Sequence, residues 1–164
     1  MVKLWGFDDV QAERLQQLAD NYNIARNLRD VFPHPYSIDD ANDFIENAIQ
    51  GSIPHVFSIF NDDEFIGVGG ITLKTDIHRN SAEVGYWLGE PYWGKGYATE
   101  ALRLLTDYAF NIGKIRVFAG VFAHNKASQR VLEKAGYQLE AIHRSAITKY
   151  GEIMDEHLYA VIKT

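Results

Sequence analysis

Cysteine is absent from the 164 residues of this sequence. The chain can therefore form no disulfide framework and no cysteine-bound zinc site, and it has no cysteine nucleophile. No thioester intermediate can form on the protein itself. The six histidines are scattered without the spacing of metal ligands, so no metal site is expected.

Long hydrophobic runs are also missing, because no window approaches the ~20 consecutive apolar residues of a membrane span. The first residues, MVKLWGFDDVQAE, have neither the basic start nor the apolar core of a signal peptide, so we expect a cytoplasmic protein without a membrane partner. The sequence has fewer basic residues (16 Lys and Arg) than acidic ones (22 Asp and Glu). The net charge of −6 argues against a nucleic-acid-binding surface and is compatible with a cationic partner.

Hydrophobic residues make up 46% of the chain, which is long enough for one core, so we expect a single domain over residues 1–164. The first part is predicted to be mainly helical. A strand at Val2–Trp5 precedes a helix capped by Asp8 or Asp9, a helical piece at Ile24–Val31 and a helix capped by Ser37.

After Gly51 and Pro54 the pattern changes to strands. We predict strands at His55–Phe60, Phe65–Leu73, 81–89 and Ile115–Phe122, helices at Tyr97–Ile112 and Lys126–Ala135, and two final strands around the turn TKYGE. Gly113 and Gly136 follow the two helices, as helix-ending glycines commonly do. This order of elements predicts an α+β fold, with helices layered on the faces of a sheet.

The stretch YWGKGYATEA places two glycines around a lysine where a strand gives way to a helix. Such a turn leaves unpaired N–H groups at the positive end of a helix dipole, and glycine lets an anionic phosphate approach them. Two known phosphate loops do not fit. A nucleoside-triphosphate loop needs Ser or Thr after its lysine, and a dinucleotide fingerprint needs a third glycine where Thr99 stands. The alternative to phosphate binding is that the two glycines only form a tight connection between the strand and the helix.

Together with AEVGYWLGEPY before it and NKASQRVLEKAGY after the next strand, this stretch resembles the GNAT superfamily of acetyl-coenzyme-A-dependent N-acetyltransferases. Within the superfamily it is most similar to the RimJ/RimL-like ribosomal-protein N-terminal acetyltransferases. The resemblance implies one GNAT domain with a mixed, mostly antiparallel sheet of about six to seven strands and acetyl-coenzyme A as co-substrate. The pattern Gln/Arg-x-x-Gly-x-Gly/Ala falls on residues 93–98, with Trp93 at its first position.

The same resemblance implies where the coenzyme binds. The pyrophosphate would contact the backbone of the glycine turn, and the pantetheine arm would contact main-chain groups of the preceding strand. The residues of these two segments are Tyr86, Trp87, Leu88, Trp93, Gly94, Lys95, Gly96, Tyr97, Ala98 and Thr99. Asn125, in the motif after the next strand, would also contact the pantetheine arm. Gly85 supports this interpretation, because a glycine inside a strand often marks a close approach to the backbone.

Acetyl transfer to an amine needs a proton acceptor, an oxyanion donor and a group that stabilises the leaving thiolate. Glu83 is the candidate base, acting through a water, and the alternative is an exposed edge-strand carboxylate. The Leu88 amide is the candidate oxyanion donor. The resemblance implies that Ser128 hydrogen-bonds the departing sulfur, although Asn125 as N-cap and Ser128 three residues later also fit a polar helix start. The tyrosine acid of many family members is replaced by Leu132.

No motif identifies the acceptor. His34 in FPHPY and Tyr150 in the last turn are candidate acceptor contacts, with an ordinary loop histidine as the alternative for His34. The expected acceptor is a protein N-terminal α-amine. The alternatives are a small amine, such as a polyamine or an antibiotic-like compound, and a non-catalytic acyl-coenzyme-A-binding module. The oligomeric state stays open, including a homodimer.

Overall fold

The computed structural model describes residues 1–164. Its strands are β1 (Val2–Trp5), β2 (Val56–Asn61), β3 (Glu64–Leu73), β4 (Ser81–Leu88), β5 (Arg116–Phe122), β6 (Gln138–Lys149) and β7 (Glu152–Ile162). Its helices are α1 (Ala12–Ala19), α2 (Tyr22–Ala25), α3 (Ile38–Gln50), α4 (Tyr97–Asn111) and α5 (Lys126–Lys134). No helix combines the length and the apolar character that a membrane crossing requires.

The seven strands form one sheet in the order β1-β2-β3-β4-β5-β7-β6. Every neighbouring pair is antiparallel except β4 and β5, which run parallel. The predicted α+β class and the mixed, mostly antiparallel sheet are confirmed. The parallel pair lies at the centre of the sheet. Its two strands run in the same direction because α4 carries the chain from the end of β4 back to the start of β5.

The helix ends are mostly where the sequence predicts them. Ser37 and Asp40 form a capping box at the start of α3, and Gly113, with a φ of +96°, follows α4. The predicted aspartate caps of α1 are wrong. Gln11 precedes the helix without a side-chain cap, because residues 7–10 form a separate turn closed by a backbone hydrogen bond from Val10 to Phe7.

The helical piece predicted at Ile24–Val31 is shorter than expected. Helix α2 ends at Ala25, after burying Ile24 and Ala25 in the core. The following residues form turns and bends. Arg29 lies in this irregular segment, and its guanidinium contacts β4.

Alternation along β4 assigns its side chains to the two faces of the sheet. Ala82 and Val84 are buried in one hydrophobic cluster with Leu102 and Leu105 of α4 and Leu132 of α5. The odd-numbered residues of β4 face the other side, towards the segment that joins α2 to α3. On this side Glu83 contacts Arg29 and Trp87 contacts Phe32. Strand β4 therefore separates two differently lined surfaces.

Candidate active site

A gap opens between the two central strands. Strands β4 and β5 pair only where Ser81–Glu83 lie beside Arg116–Phe118. Beyond these residues β4 continues to Leu88 with β3 as its sole partner, and β5 continues to Phe122 with β7 as its sole partner. The facing edges of both strands are therefore unpaired from residue 84 of β4 onward.

Every second residue of β4 turns its main-chain groups into this gap. The Gly89 N–H donates to the Ile66 carbonyl at 2.8 Å, which fixes the alternation in this antiparallel pair. Tyr86 and Leu88 therefore direct their N–H and C=O groups towards the gap. The main-chain groups of Trp87 point to β3 instead, and its indole packs edge-on against Phe32.

The glycine turn presents unpaired donors beside the gap. Gly94 and Gly96 have φ values of +72° and +83°, which glycine adopts without strain. The N–H groups from Gly94 to Thr99 donate to no acceptor in the protein. A Cβ added at either glycine would meet nothing within 4 Å, so the outer surface of the turn is open to a ligand.

Trp93 attaches the glycine turn to the end of β4. Its indole Nε1 donates to the Leu88 carbonyl at 2.8 Å. Trp93, which replaces the Gln or Arg of the family pattern, therefore has a structural role. Of the remaining motif side chains, Lys95 is exposed, Tyr97 and Ala98 are half-buried and Thr99 is buried.

Two hydroxyl groups meet on the α5 side of β4. Asn125 caps α5, its Oδ1 accepting from the Ser128 N–H at 3.2 Å, which confirms the predicted polar helix start. The Ser128 hydroxyl lies 3.1 Å from the Tyr86 hydroxyl. Burial raises the pKa of Tyr86 to about 12, against the opposing effect of the Ser128 hydrogen bond. The phenol is therefore neutral and able to donate at physiological pH.

The hydroxyl of Tyr86 is a feature that sequence reasoning missed. The available signal was alternation, because Tyr86 shares a face of β4 with the buried residues Ala82 and Val84. Leu132, at the position of the family's tyrosine acid, is fully buried in the core. A tyrosine hydroxyl thus reaches this region from the strand instead of the helix.

Glu83 lies on the opposite face from Ser128. Its carboxylate accepts from the Arg29 guanidinium at 2.5 Å. The Glu83 side chain is 27% exposed and that of Arg29 is 75% exposed. Because β4 is a central strand, Glu83 is not an edge-strand carboxylate. A ligand in the gap would have this carboxylate on one side and the two hydroxyls on the other.

His34 and Tyr150 are brought together through Tyr22. The Tyr22 ring stacks on Tyr150 with centroids 5.7 Å apart and lies 5.8 Å from the His34 ring. Next to Tyr150, the buried Lys149 ammonium donates to Asp30 at 2.9 Å. These contacts hold the β6–β7 turn against the segment that carries Arg29.

Residues 5–138 match the acetyltransferase (GNAT) domain model. The chain belongs to this family. It is 39% identical over 109 residues to a probable N-acetyltransferase of Bacillus subtilis (strain 168), YjcK, which covers 65% of this chain and 60% of the relative. It is 32% identical over 108 residues to the ribosomal-protein-serine acetyltransferase of Escherichia coli (strain K12), with 65% and 60% coverage.

The fold is shared with a solved ribosomal L7/L12 alpha-N-protein acetyltransferase, RimL, in complex with coenzyme A. The TM-score is 0.83 at 24% identity, and the match covers 99% of this chain and 94% of that one. The predicted GNAT resemblance, with its RimL-like neighbours, is confirmed. The chain spans about 60% of the length of the two curated relatives named above.

Proposed function

We propose that this chain transfers the acetyl group of acetyl-coenzyme A directly to a primary amine, and that the amine is the N-terminal α-amine of a protein. The observation that carries the proposal is the gap between β4 and β5 beside the free N–H groups of Gly94–Thr99. A pantetheine arm in the gap would pair with the main-chain groups of Tyr86 as an added strand does, which leaves the Leu88 N–H for the acetyl carbonyl oxygen. Its pyrophosphate would meet the start of α4.

The choice of acceptor is supported by the similarity to a ribosomal-protein-serine acetyltransferase. An α-amine has a pKa of about 8, so a substantial fraction is already neutral near physiological pH. Such an acceptor needs only moderate help from a base. Tyr22 contacts the rings of both His34 and Tyr150, and we propose that His34 and Tyr150 contact the acceptor.

In the proposed reaction the amine nitrogen bonds to the acetyl carbonyl carbon, the carbon–sulfur bond breaks and coenzyme A leaves as a thiol. The ammonium form of the acceptor loses two protons. One passes through a water to Glu83 and then to solvent, and the other ends on the sulfur. The gap-facing Leu88 amide would bind the carbonyl oxygen as negative charge develops. Ser128 would donate a hydrogen bond to the sulfur, with Tyr86 donating to Ser128.

The test measures free coenzyme A with a thiol reagent, which meets no background from this cysteine-free chain. The acceptors are a peptide with a free N-terminal serine, the same peptide with an acetylated N-terminus, and spermidine. We expect thiol release that depends on the free-N-terminus peptide. Release with spermidine alone would favour the small-amine alternative. Calorimetric binding of acetyl-coenzyme A without any amine-dependent release would favour a binding module.

A further inference from the structure

A second carboxylate, that of Glu156, lies on the same face of the sheet as Glu83. Glu156 stands on β7 opposite Phe122 of β5. Its side chain lies over Gly120, because a Cβ built on this glycine would be 2.6 Å from the Glu156 Oε2. The absence of a side chain at Gly120 therefore makes the room that the carboxylate occupies.

The register places this carboxylate beside the gap. Phe118 pairs with Glu83 where β4 and β5 are still joined. Gly120 is two residues further along β5, so its side-chain direction is that of Phe118 and Glu83. Beyond Phe118, β5 has no partner on its β4 side. The Glu156 carboxylate thus covers the part of β5 that borders the gap, on the Glu83 face.

The two carboxylates differ in their partners. Glu83 is paired with a guanidinium at 2.5 Å. No lysine or arginine nitrogen lies within 4.0 Å of Glu156, and its nearest basic atom is His143 Nδ1 at 3.4 Å. The Glu156 side chain is 28% exposed. A half-buried carboxylate with one long contact retains oxygen lone pairs for a cationic ligand.

We propose that Glu156 binds the ammonium form of the acceptor amine beside the gap. This inference rests on the proposed amine acetyltransferase function. The ligand class is a primary ammonium ion, which a peptide N-terminus and a polyamine both provide. The role differs from that of Glu83: Glu156 holds the cation on arrival, and Glu83 accepts a proton during the reaction.

The test separates the KM for the amine from kcat in full-length variants. Glu156→Gln keeps the size of the side chain and removes its charge. We expect the amine KM to rise about 10- to 100-fold, the range of one charge-assisted hydrogen bond, with kcat and the calorimetric Kd for acetyl-coenzyme A unchanged. In the matched variant Glu83→Gln, we expect kcat to fall with little change in the amine KM. An unchanged amine KM in Glu156→Gln overturns the inference.

Gly120→Ala provides an independent variant that does not alter the carboxylate itself. The added methyl group would displace the flexible end of Glu156, so the amine KM should rise. In the Glu156→Gln background the same change should add little, because the charge it displaces is already gone. Equal effects in both backgrounds would show that Gly120→Ala acts on something other than Glu156 and would contradict the inference.

The serine peptide and spermidine both serve as probe amines, which keeps the two proposals distinguishable. If the wild type acetylates spermidine and not the peptide, the proposed acceptor is wrong and the Glu156 test proceeds with spermidine. If the wild type acetylates the peptide and Glu156→Gln has a normal KM, the Glu156 inference alone fails. If neither amine is acetylated, both fail.

Discussion

The hydroxyl of Tyr86 lies 3.1 Å from the hydroxyl of Ser128. The contact joins the strand that borders the gap to the first turn of α5. Burial raises the pKa of Tyr86 to about 12, so the phenol keeps its proton at neutral pH. If Tyr86 donates to the Ser128 oxygen, the Ser128 proton is free to point at the sulfur of a bound coenzyme.

This pairing predicts coupled effects on turnover. Ser128→Ala should lower kcat by about 10-fold or more, because one hydrogen bond to the leaving sulfur is lost. Tyr86→Phe should lower kcat by a smaller factor in the wild type and by almost nothing in Ser128→Ala. The kcat of the wild type, the two single variants and the double variant is measured as the steady-state rate of thiol release at saturating acetyl-coenzyme A. If the two losses in kcat multiply in the double variant, Tyr86 does not act through Ser128. If Ser128→Ala lowers only thermal stability, Ser128 is a polar residue of the helix start and has no role in turnover.

Buried phenols also predict the response to alkaline pH. Burial, and then the charge of Asp40, raise the pKa of Tyr36 to about 12, whereas an unfolded tyrosine titrates near pH ~10. The fold therefore favours the neutral phenol. This contribution to the free energy of unfolding is complete below about pH 10 and is lost as pH rises from about 10 to 12.

We expect the melting temperature of the wild type to fall across this window, and Tyr36→Phe to fall less steeply because it has one fewer phenol to ionise. Melts followed by circular dichroism from pH 8 to pH 12 measure the difference. Parallel curves for the wild type and Tyr36→Phe would mean that Tyr36 ionises in the folded state as easily as in the unfolded state.

Glu83, the candidate base, is paired with Arg29, and this partner provides a comparison variant. Glu83→Gln should lower kcat by about 100-fold or more, and the deficit should shrink as pH approaches the amine pKa of about 8, where the acceptor needs less help. Arg29→Gln removes the partner at 2.5 Å and leaves the carboxylate, so it should reduce kcat less. Equal losses in both variants would assign the effect to the ion pair instead of the carboxylate.

Much of the fold could be predicted because periodicity is a local property. Ala101, Leu102, Leu105 and Ala109 fall on one face of the predicted helix, and all four are fully buried. The β2–β3 hairpin is encoded in the polar turn NDDE between two apolar runs. Asp8 did not cap α1 because the turn before the helix buries Phe7 and Val10, and burial of that kind depends on tertiary packing.

The same distinction between local sequence features and tertiary packing applies to the site. The glycine turn and the Asn125 cap are made by consecutive residues, so a motif can reveal them. The contact between Glu83 and Arg29 joins positions far apart in the sequence, and the position of Glu156 over Gly120 depends on which strand pairs with β5. The first relationship depends on how the segment after α2 packs against the sheet and the second on strand order, and periodicity specifies neither.

The glycine turn provides the final prediction. Gly96 has a φ of +83°, a conformation that asparagine tolerates better than most residues with side chains. A Cβ there would contact nothing in the protein within 4 Å. Gly96→Asn should therefore fold normally and yet fill space that the pyrophosphate would occupy. We expect the Kd for acetyl-coenzyme A to rise about 10-fold or more, equivalent to about 1.4 kcal/mol, in calorimetry.

Gly113 offers a matched control at the other end of the same helix. Its φ is +96° and a Cβ there would also contact nothing within 4 Å, so Gly113→Asn places the same side chain in the same type of backbone conformation away from the turn. We expect Gly113→Asn to bind acetyl-coenzyme A like the wild type and to keep the rise in melting temperature that the ligand produces. Normal binding by a folded Gly96→Asn variant would leave the two glycines as a tight strand-to-helix connection. The coenzyme site proposed at Gly94–Thr99 would then be wrong, and so would the acetyltransferase function that depends on it.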